Sequence, residues 1–147
     1  DHGFAMLEGQ HFDDAARFLG EAVRLRPEWA EAHVNLGNAW RSLGQTQRAV
    51  AQLSQAVQLN PQLFAAHFSL GVLLLKENQL QSAAQHLQAA VQIDPQSSNA
   101  LHQLGLTFAR LGLRQEATIH LRQAVQADPA NTAAQRDLQS ILSGQVP

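Results

Sequence analysis

Apolar residues recur along this chain at the spacing of amphipathic helices. In the stretch 30–43, polar residues separate a helical series of apolar ones, namely Val34, Leu36, Ala39, Trp40 and Leu43. In the stretch 46–59, a second series shares one side of a helix, namely Ala49, Val50, Leu53, Ala56 and Val57. Gly44 lies between the two stretches, and a residue that tolerates positive φ commonly ends a helix. The pattern therefore predicts two helices joined by a tight turn.

This pair of helices recurs with a fixed period. Prolines keep a spacing of 34 residues at Pro27, Pro61, Pro95 and Pro129. Glycines keep the same spacing at Gly3, Gly37, Gly71 and Gly105. Asn78 and Gly112 occupy the turn position of Gly44 in the next two copies. A period of this length predicts stacked copies of one small unit, in which each copy buries its apolar side against its neighbours.

The period also sets the expected boundaries along the chain. Three complete copies are expected at 30–63, 64–97 and 98–131. Residues 1–29 are expected to be a clipped first copy, with roughly 1–8 as the remnant of its first helix and 12–26 as its second helix. The segment 132–142 is predicted to be a capping helix, because the end of a stack needs a polar outer face. Residues 143–147 are expected to form a tail, and 1–142 a single array.

The copies resemble the tetratricopeptide repeat family, whose period and pattern they match. The second copy reads His33-x2-Leu36-Gly37-x2-Trp40, and it continues with Ala49-x3-Leu53, Ala56 and Pro61. The resemblance covers essentially the whole chain. It implies an all-α fold, a right-handed superhelical solenoid of antiparallel helix pairs. The glycines and alanines at the repeat positions would let the two helices of a pair approach closely.

In that family the first helix of each repeat lines a concave groove that receives extended peptides or partner helices. Carried over position by position, the expected binding residues are Val34, Asn38, Arg41, Phe68, Val72, Leu75, Lys76, His102, Leu106 and Arg110. Their apolar members are expected to form a strip open to water, which usually marks an interaction site, at Phe68, Val72, Leu75 and Leu106. Arginine binds carboxylates in a bidentate manner. The expected partner is a protein or peptide segment with apolar anchors and some acidic character.

Two other interpretations of the function stay open. The clipped first copy fits a substrate-recruiting region of a larger enzyme, with the catalytic domain outside this sequence. The N-terminal end also favours self-association through Phe4 and Leu7, if no neighbour covers them. Some family members hold a carboxylate through a Lys and Asn clamp. Asn38 matches one clamp position, but Val34 and Phe68 stand where polar side chains would be needed, which argues against this use.

Composition narrows the chemistry that the chain can perform. The net charge is -2 and no run of basic residues occurs, so nucleic acid is not an expected partner. The sequence has no cysteine, which excludes disulfides and thiolate metal sites. His33 and His67 share one repeat position, where packing between helices is expected, while His102 is expected on the open face. No histidine spacing typical of a metal site occurs, and no metal or cofactor is predicted.

Motifs of catalysis and of membrane insertion are also missing from the sequence. No glycine-rich nucleotide loop and no nucleophile elbow is present, so the chain is not predicted to be an enzyme. No apolar run approaches the roughly 20 residues that a membrane-spanning helix needs. No signal-peptide pattern occurs, and we expect a cytoplasmic location.

Overall fold

A computed structural model describes the backbone from residue 2 to residue 147 and the side chains from residue 11 onward. Over this range the chain is all-α, and it contains no strand. The helices are α1 (His2–Leu25), α2 (Ala30–Ser42), α3 (Thr46–Leu59), α4 (Phe64–Lys76), α5 (Leu80–Ile93), α6 (Ser98–Arg110), α7 (Arg114–Ala127) and α8 (Thr132–Leu142). The helix pairs predicted for the three complete copies and the capping helix at 132–142 are therefore confirmed.

Each complete pair turns at a residue with a left-handed backbone. The φ angle is +76° at Gly44, +60° at Asn78 and +81° at Gly112. The following amide closes the end of the first helix, because Gln45 N–H donates to Trp40 C=O at 2.8 Å. This bond satisfies a carbonyl that the last turn of a helix leaves without a partner. The predicted turn positions are confirmed.

The first copy departs from this pattern. Two helices were expected in residues 1–29, but a single helix, α1, runs from His2 to Leu25. The turn position of Gly44 is occupied in this copy by Gln10. A left-handed conformation costs an ordinary L-residue roughly 1–2 kcal/mol, whereas glycine adopts it freely. Without a residue suited to the turn, the backbone continues as one helix.

The repeat glycines allow the two helices of a pair to approach closely. A Cβ atom on Gly37 would lie 2.7 Å from Leu53 Cγ, and one on Gly105 would lie 2.8 Å from Leu121 Cγ. Real Cβ atoms do not come this close to other carbons, so α2 crosses α3, and α6 crosses α7, at a distance that only glycine permits. The expected close approach is confirmed at both crossings.

The chain divides into two compact units, residues 1–73 and 74–147. In the first unit, Ala16 of α1 is buried in a cluster with Leu36 and Ala39 of α2. In the second unit, Leu101 of α6 is buried in a cluster with Ala124 of α7 and Ala134 of α8. Each core therefore joins helices of successive copies, as stacking requires. The single array over 1–142 stays a prediction.

Candidate functional site

In the first unit, α2 carries three of the expected binding residues, and they differ in exposure. Arg41 is exposed and Asn38 is half-buried. Val34 is only 4% exposed, so its side chain has little surface for a ligand, and its place in the groove stays a prediction. Val34, Asn38 and Arg41 lie at positions i, i+4 and i+7 of α2 and therefore share one face, along which exposure rises from the buried Val34 to the exposed Arg41.

Asn38 has an unusual environment for a polar side chain. Its Oδ1 atom is buried, and it has no hydrogen-bond partner among the residues that the structure describes. A buried acceptor without a partner typically costs about 1–3 kcal/mol. Asn38 and Arg41 are three positions apart on α2, a spacing that places both side chains on one face of the helix. The Asn38 amide, whose oxygen can still accept a hydrogen bond, therefore shares a helix face with the exposed guanidinium group of Arg41.

Helix α4 contributes aromatic and branched side chains to the same unit. The rings of Phe64 and Phe68 stack, with centroids 5.5 Å apart and planes inclined by 10°. Phe68 and Val72 are both half-buried and lie four positions apart, so they share one face of α4. These two residues thus offer partly exposed apolar surface, held in place by the stacked ring of Phe64.

In the second unit, the end of α4 serves as a hydrogen-bond acceptor. Leu75 is 4% exposed, so the expectation that it belongs to an open apolar strip is wrong. Its backbone carbonyl accepts a hydrogen bond from Arg110 Nη1 at 3.4 Å. Carbonyls in the last turn of a helix lack intrahelical partners and carry partial negative charge, which favours a cation there. Lys76 and Arg110 are themselves exposed, and Leu106 is half-buried.

His102 does not lie on an open face. It is 7% exposed, and its Nε2 atom lies 2.6 Å from Asp137 Oδ2 on α8. The expectation of an exposed ring is wrong because the capping helix places a carboxylate directly against it. Sequence reasoning missed Asp137. The signal that could have found it is the register, since the two residues are 35 positions apart, as are Leu75 and Arg110.

The histidines at the repeat position bond to the turn between copies. His33 Nε2–H donates to the carbonyl of Pro27 at 2.8 Å, and His67 Nε2–H donates to that of Pro61 at 2.8 Å. Gln135, at the same repeat position, donates from Nε2 to the carbonyl of Pro129. Both rings are buried, which confirms that they pack inside the structure. No group of three or more side chains suited to a metal ion occurs among those described, residues 11–147.

Two further expectations concern the ends and faces of the chain. Phe4 and Leu7, named for self-association, lie outside the residues whose side chains are described. Across the described backbone, no helix combines the length and the apolar character that crossing a bilayer requires. Of the ten expected binding residues, three pairs that each lie within one unit share a helix face and keep some exposure, namely Asn38 and Arg41 on α2, Phe68 and Val72 on α4, and Leu106 and Arg110 on α6.

Comparison with known proteins agrees with the helical architecture. Models of the tetratricopeptide repeat match residues 5–63, 41–98 and 98–131, so the chain belongs to the tetratricopeptide repeat family. A comparison with curated proteins gave no match. The family is consistent with a protein-interaction scaffold.

Several solved structures share this fold over most of the chain. A crystal structure of MamA is 22% identical, with a TM-score of 0.87, and the match covers 98% of this chain and 84% of MamA. MamA from Desulfovibrio magneticus RS-1 is 28% identical, with a TM-score of 0.84, covering 90% and 75% of the two chains. YrrB, described as a TPR protein with an unusual peptide-binding site, is 26% identical, with a TM-score of 0.78, covering 91% and 69%. The chain is thus a tetratricopeptide repeat solenoid.

Proposed function

We propose that this chain is an interaction scaffold that binds an extended protein segment on the first helices of its repeats, with the principal contacts on α2 and α4 of residues 1–73. The observation that carries the proposal is the buried Oδ1 atom of Asn38, which has no hydrogen-bond partner among the described side chains, residues 11–147. Proteins rarely retain such an acceptor unless another group uses it. A backbone N–H group of an extended segment is a suitable donor, since rotation of the amide exposes its oxygen to a ligand.

Charge and apolar surface define the rest of the expected ligand. Arg41 is exposed and three positions from Asn38, so a carboxylate of the segment can bind it while a neighbouring amide bonds to Asn38. Phe68 and Val72 supply partly exposed apolar surface for a leucine or aromatic side chain. The family and the peptide-binding description of YrrB support this use of the helices.

The second unit contributes fewer of the expected contacts. Lys76, Leu106 and Arg110 keep some exposure and remain candidates for a further part of the segment. Leu75 and His102 are instead assigned to the structure of the unit, because one is buried and the other is bonded to Asp137.

The test is selection of random twelve-residue peptides by display on the purified protein, followed by affinity measurements on the selected peptides. We expect these peptides to combine leucine or aromatic residues with Asp or Glu. Arg41→Glu should weaken their binding at least tenfold. Arg122→Glu is the matched control, because Arg122 is also exposed but lies on the second helix of its pair, and it should leave the affinity unchanged. Equal affinities for the two variants would refute the proposal.

A further inference from the structure

The first unit contains a cleft that the proposed peptide-binding face does not use. Helices α1, α2 and α3 line this open cleft, which has a volume of about 450 Å³. Its lining includes the apolar Val23 and Leu36, the aromatic Trp40, and two cations, Arg24 and Arg48. Among the described side chains, residues 11–147, no carboxylate lines the cleft itself, although Glu21 pairs with Arg24 beside it.

The residues that give this cleft its charge and its shape break the repeat. Val23 and Leu36 are framework residues and recur, as Val57 and Leu70 do one period later. The other lining residues change from copy to copy. The position of Gly20 is occupied in later copies by Ser54, Gln88 and Arg122. The position of Arg24 is occupied by Gln58, Gln92 and Gln126. The position of Arg48 is occupied by Ser82 and Glu116. In the later copies, no equivalent set of positions combines two arginines with a glycine.

Each arginine contacts a neighbour, and only Arg48 does so without pairing with a carboxylate. The guanidinium of Arg48 lies over the ring of Trp40, 4.7 Å from its centroid. Arg24 forms an exposed ion pair with Glu21, three positions earlier on α1. The hydrogen bond from Arg24 lowers the pKa of the Glu21 carboxyl, so this pair persists at neutral pH. An arginine has five N–H donors, and neither neighbour uses all of them.

Gly20 provides the space above the apolar part of the cleft. A Cβ atom built on this residue would meet no heavy atom within 4 Å. The glycine is therefore not required by helix packing, in contrast to Gly37, whose Cβ would overlap Leu53. Glycine inside a helix is unfavourable by roughly 0.5–1 kcal/mol relative to alanine. Helix packing and helix propensity therefore do not account for Gly20. The absence of a side chain at this position leaves the cleft open beside it.

The cleft also faces away from the peptide-binding face of α2. Trp40 follows Asn38 by two positions, and two residues of an α-helix correspond to a rotation of about 200°. A ligand in the cleft therefore does not compete for Asn38 and Arg41.

We infer that this cleft is a second binding site, for a protein segment that presents a leucine-sized or aromatic side chain next to an Asp or Glu. The apolar side chain enters beside Gly20 and packs on Val23 and Leu36. The adjacent carboxylate accepts hydrogen bonds from Arg24 and Arg48, which are the charged groups that line the cleft. A scaffold of this family gains from such a site a way to hold two segments at once.

The experiment uses Trp40 as its own reporter. The chain has two tryptophans, so Trp29→Phe leaves Trp40 as the single source of indole fluorescence and of an indole N–H resonance. The probes are two blocked tetrapeptides, acetyl-Gly-Leu-Asp-Gly-amide and its Asn counterpart, and the small acid 4-phenylbutyrate. We expect the Asp peptide to shift the Trp40 signals and to bind at least fivefold more tightly than the Asn peptide.

Three variants make the assignment specific. Gly20→Gln, which introduces the residue found two copies later, should abolish the response while keeping the helical circular dichroism, since there is room for the side chain. Arg48→Gln should weaken binding of the Asp peptide, and Arg122→Gln should not. Arg41→Glu should leave this response intact, which separates failure of this site from failure of the peptide-binding face.

Three outcomes would overturn the assignment to a protein segment. They are equal binding of the Asp and Asn peptides, a response retained in Gly20→Gln, and binding of 4-phenylbutyrate alone.

Discussion

His102 on α6 donates a hydrogen bond from Nε2 to Asp137 Oδ2 on α8 across 2.6 Å, and both side chains are largely shielded from water. The two residues are 35 positions apart, as are Arg110 and the Leu75 carbonyl to which it donates. Neighbouring first helices of the second unit thus meet at residues i and i+35. The capping helix is fixed to the last complete repeat by a charged hydrogen bond in addition to apolar packing.

Removal of Asp137 should therefore loosen the end of the second unit. Asp137→Ala leaves the Nε2–H of a buried ring without its acceptor, and an unmade bond of this kind typically costs about 1–3 kcal/mol. We expect urea unfolding to report a loss of that size. His102→Leu combined with Asp137→Ala should lose less than the sum of the two single changes, because the double variant buries no unpaired polar group. Strictly additive losses would show that the bond contributes nothing.

The helical glycines allow a matched pair of substitutions with opposite outcomes. Gly37→Ala places a Cβ 2.7 Å from Leu53 Cγ, so α2 and α3 must separate, and overpacking typically costs about 1–3 kcal/mol. Gly20→Ala meets nothing within 4 Å and gains helix propensity, so we expect stabilisation of roughly 0.5–1 kcal/mol. Thermal unfolding of the two variants beside the wild type measures both effects. Stabilisation by Gly37→Ala would contradict the close crossing.

The fold could be predicted from the sequence because the residues that repeat have narrow conformational or steric requirements. Gly44 and Gly112 mark positive φ, and Gly37 and Gly105 mark close helix crossings. The exception shows the limit of this reasoning. The period predicts two helices in the first copy, but Gln10 occupies the turn position, and the backbone continues as one helix. Periodicity predicts where a turn belongs, and local conformational preference decides whether it forms.

The turn at Asn78 can be tested against glycine and alanine. Its φ of +60° is tolerated by asparagine, is freely adopted by glycine and is unfavourable for alanine by roughly 1–2 kcal/mol. Asn78→Gly should therefore keep or slightly raise the melting temperature, whereas Asn78→Ala should lower it. The same ranking is expected at Gly112, where Gly112→Ala should destabilise. If Asn78→Ala proved as stable as the wild type, the left-handed turn would not be required there.

The candidate site was less predictable than the fold, for a physical reason. The binding positions were transferred from a family pattern, which assigns each one to a helix face but not to a depth below the surface. Leu75 and His102 lie on the expected helices, yet both are buried, and His102 is bonded to a residue of α8. The cleft beside Gly20 was missed because its lining comes from three helices. What identifies it is the departure of Arg24 and Arg48 from the residues at their positions in later copies.

Asn38 gives the sharpest test of the proposed function, because stability and binding should respond in opposite directions. Its buried Oδ1 has no partner within the part of the chain whose side chains are described, and a buried acceptor of this kind typically costs about 1–3 kcal/mol. Asn38→Ala removes that acceptor and should raise the free energy of unfolding or leave it unchanged. The same substitution removes the atom that is proposed to accept an N–H group of the bound segment, so peptides selected on the wild type should bind at least fivefold more weakly. Functional positions often show such a trade-off between stability and activity.

Gln55→Ala is a suitable control, since this exposed amide lies on α3 and should affect neither quantity. If Asn38→Ala lowers stability and leaves peptide affinity intact, its amide is a structural group, and the peptide-binding face lies elsewhere.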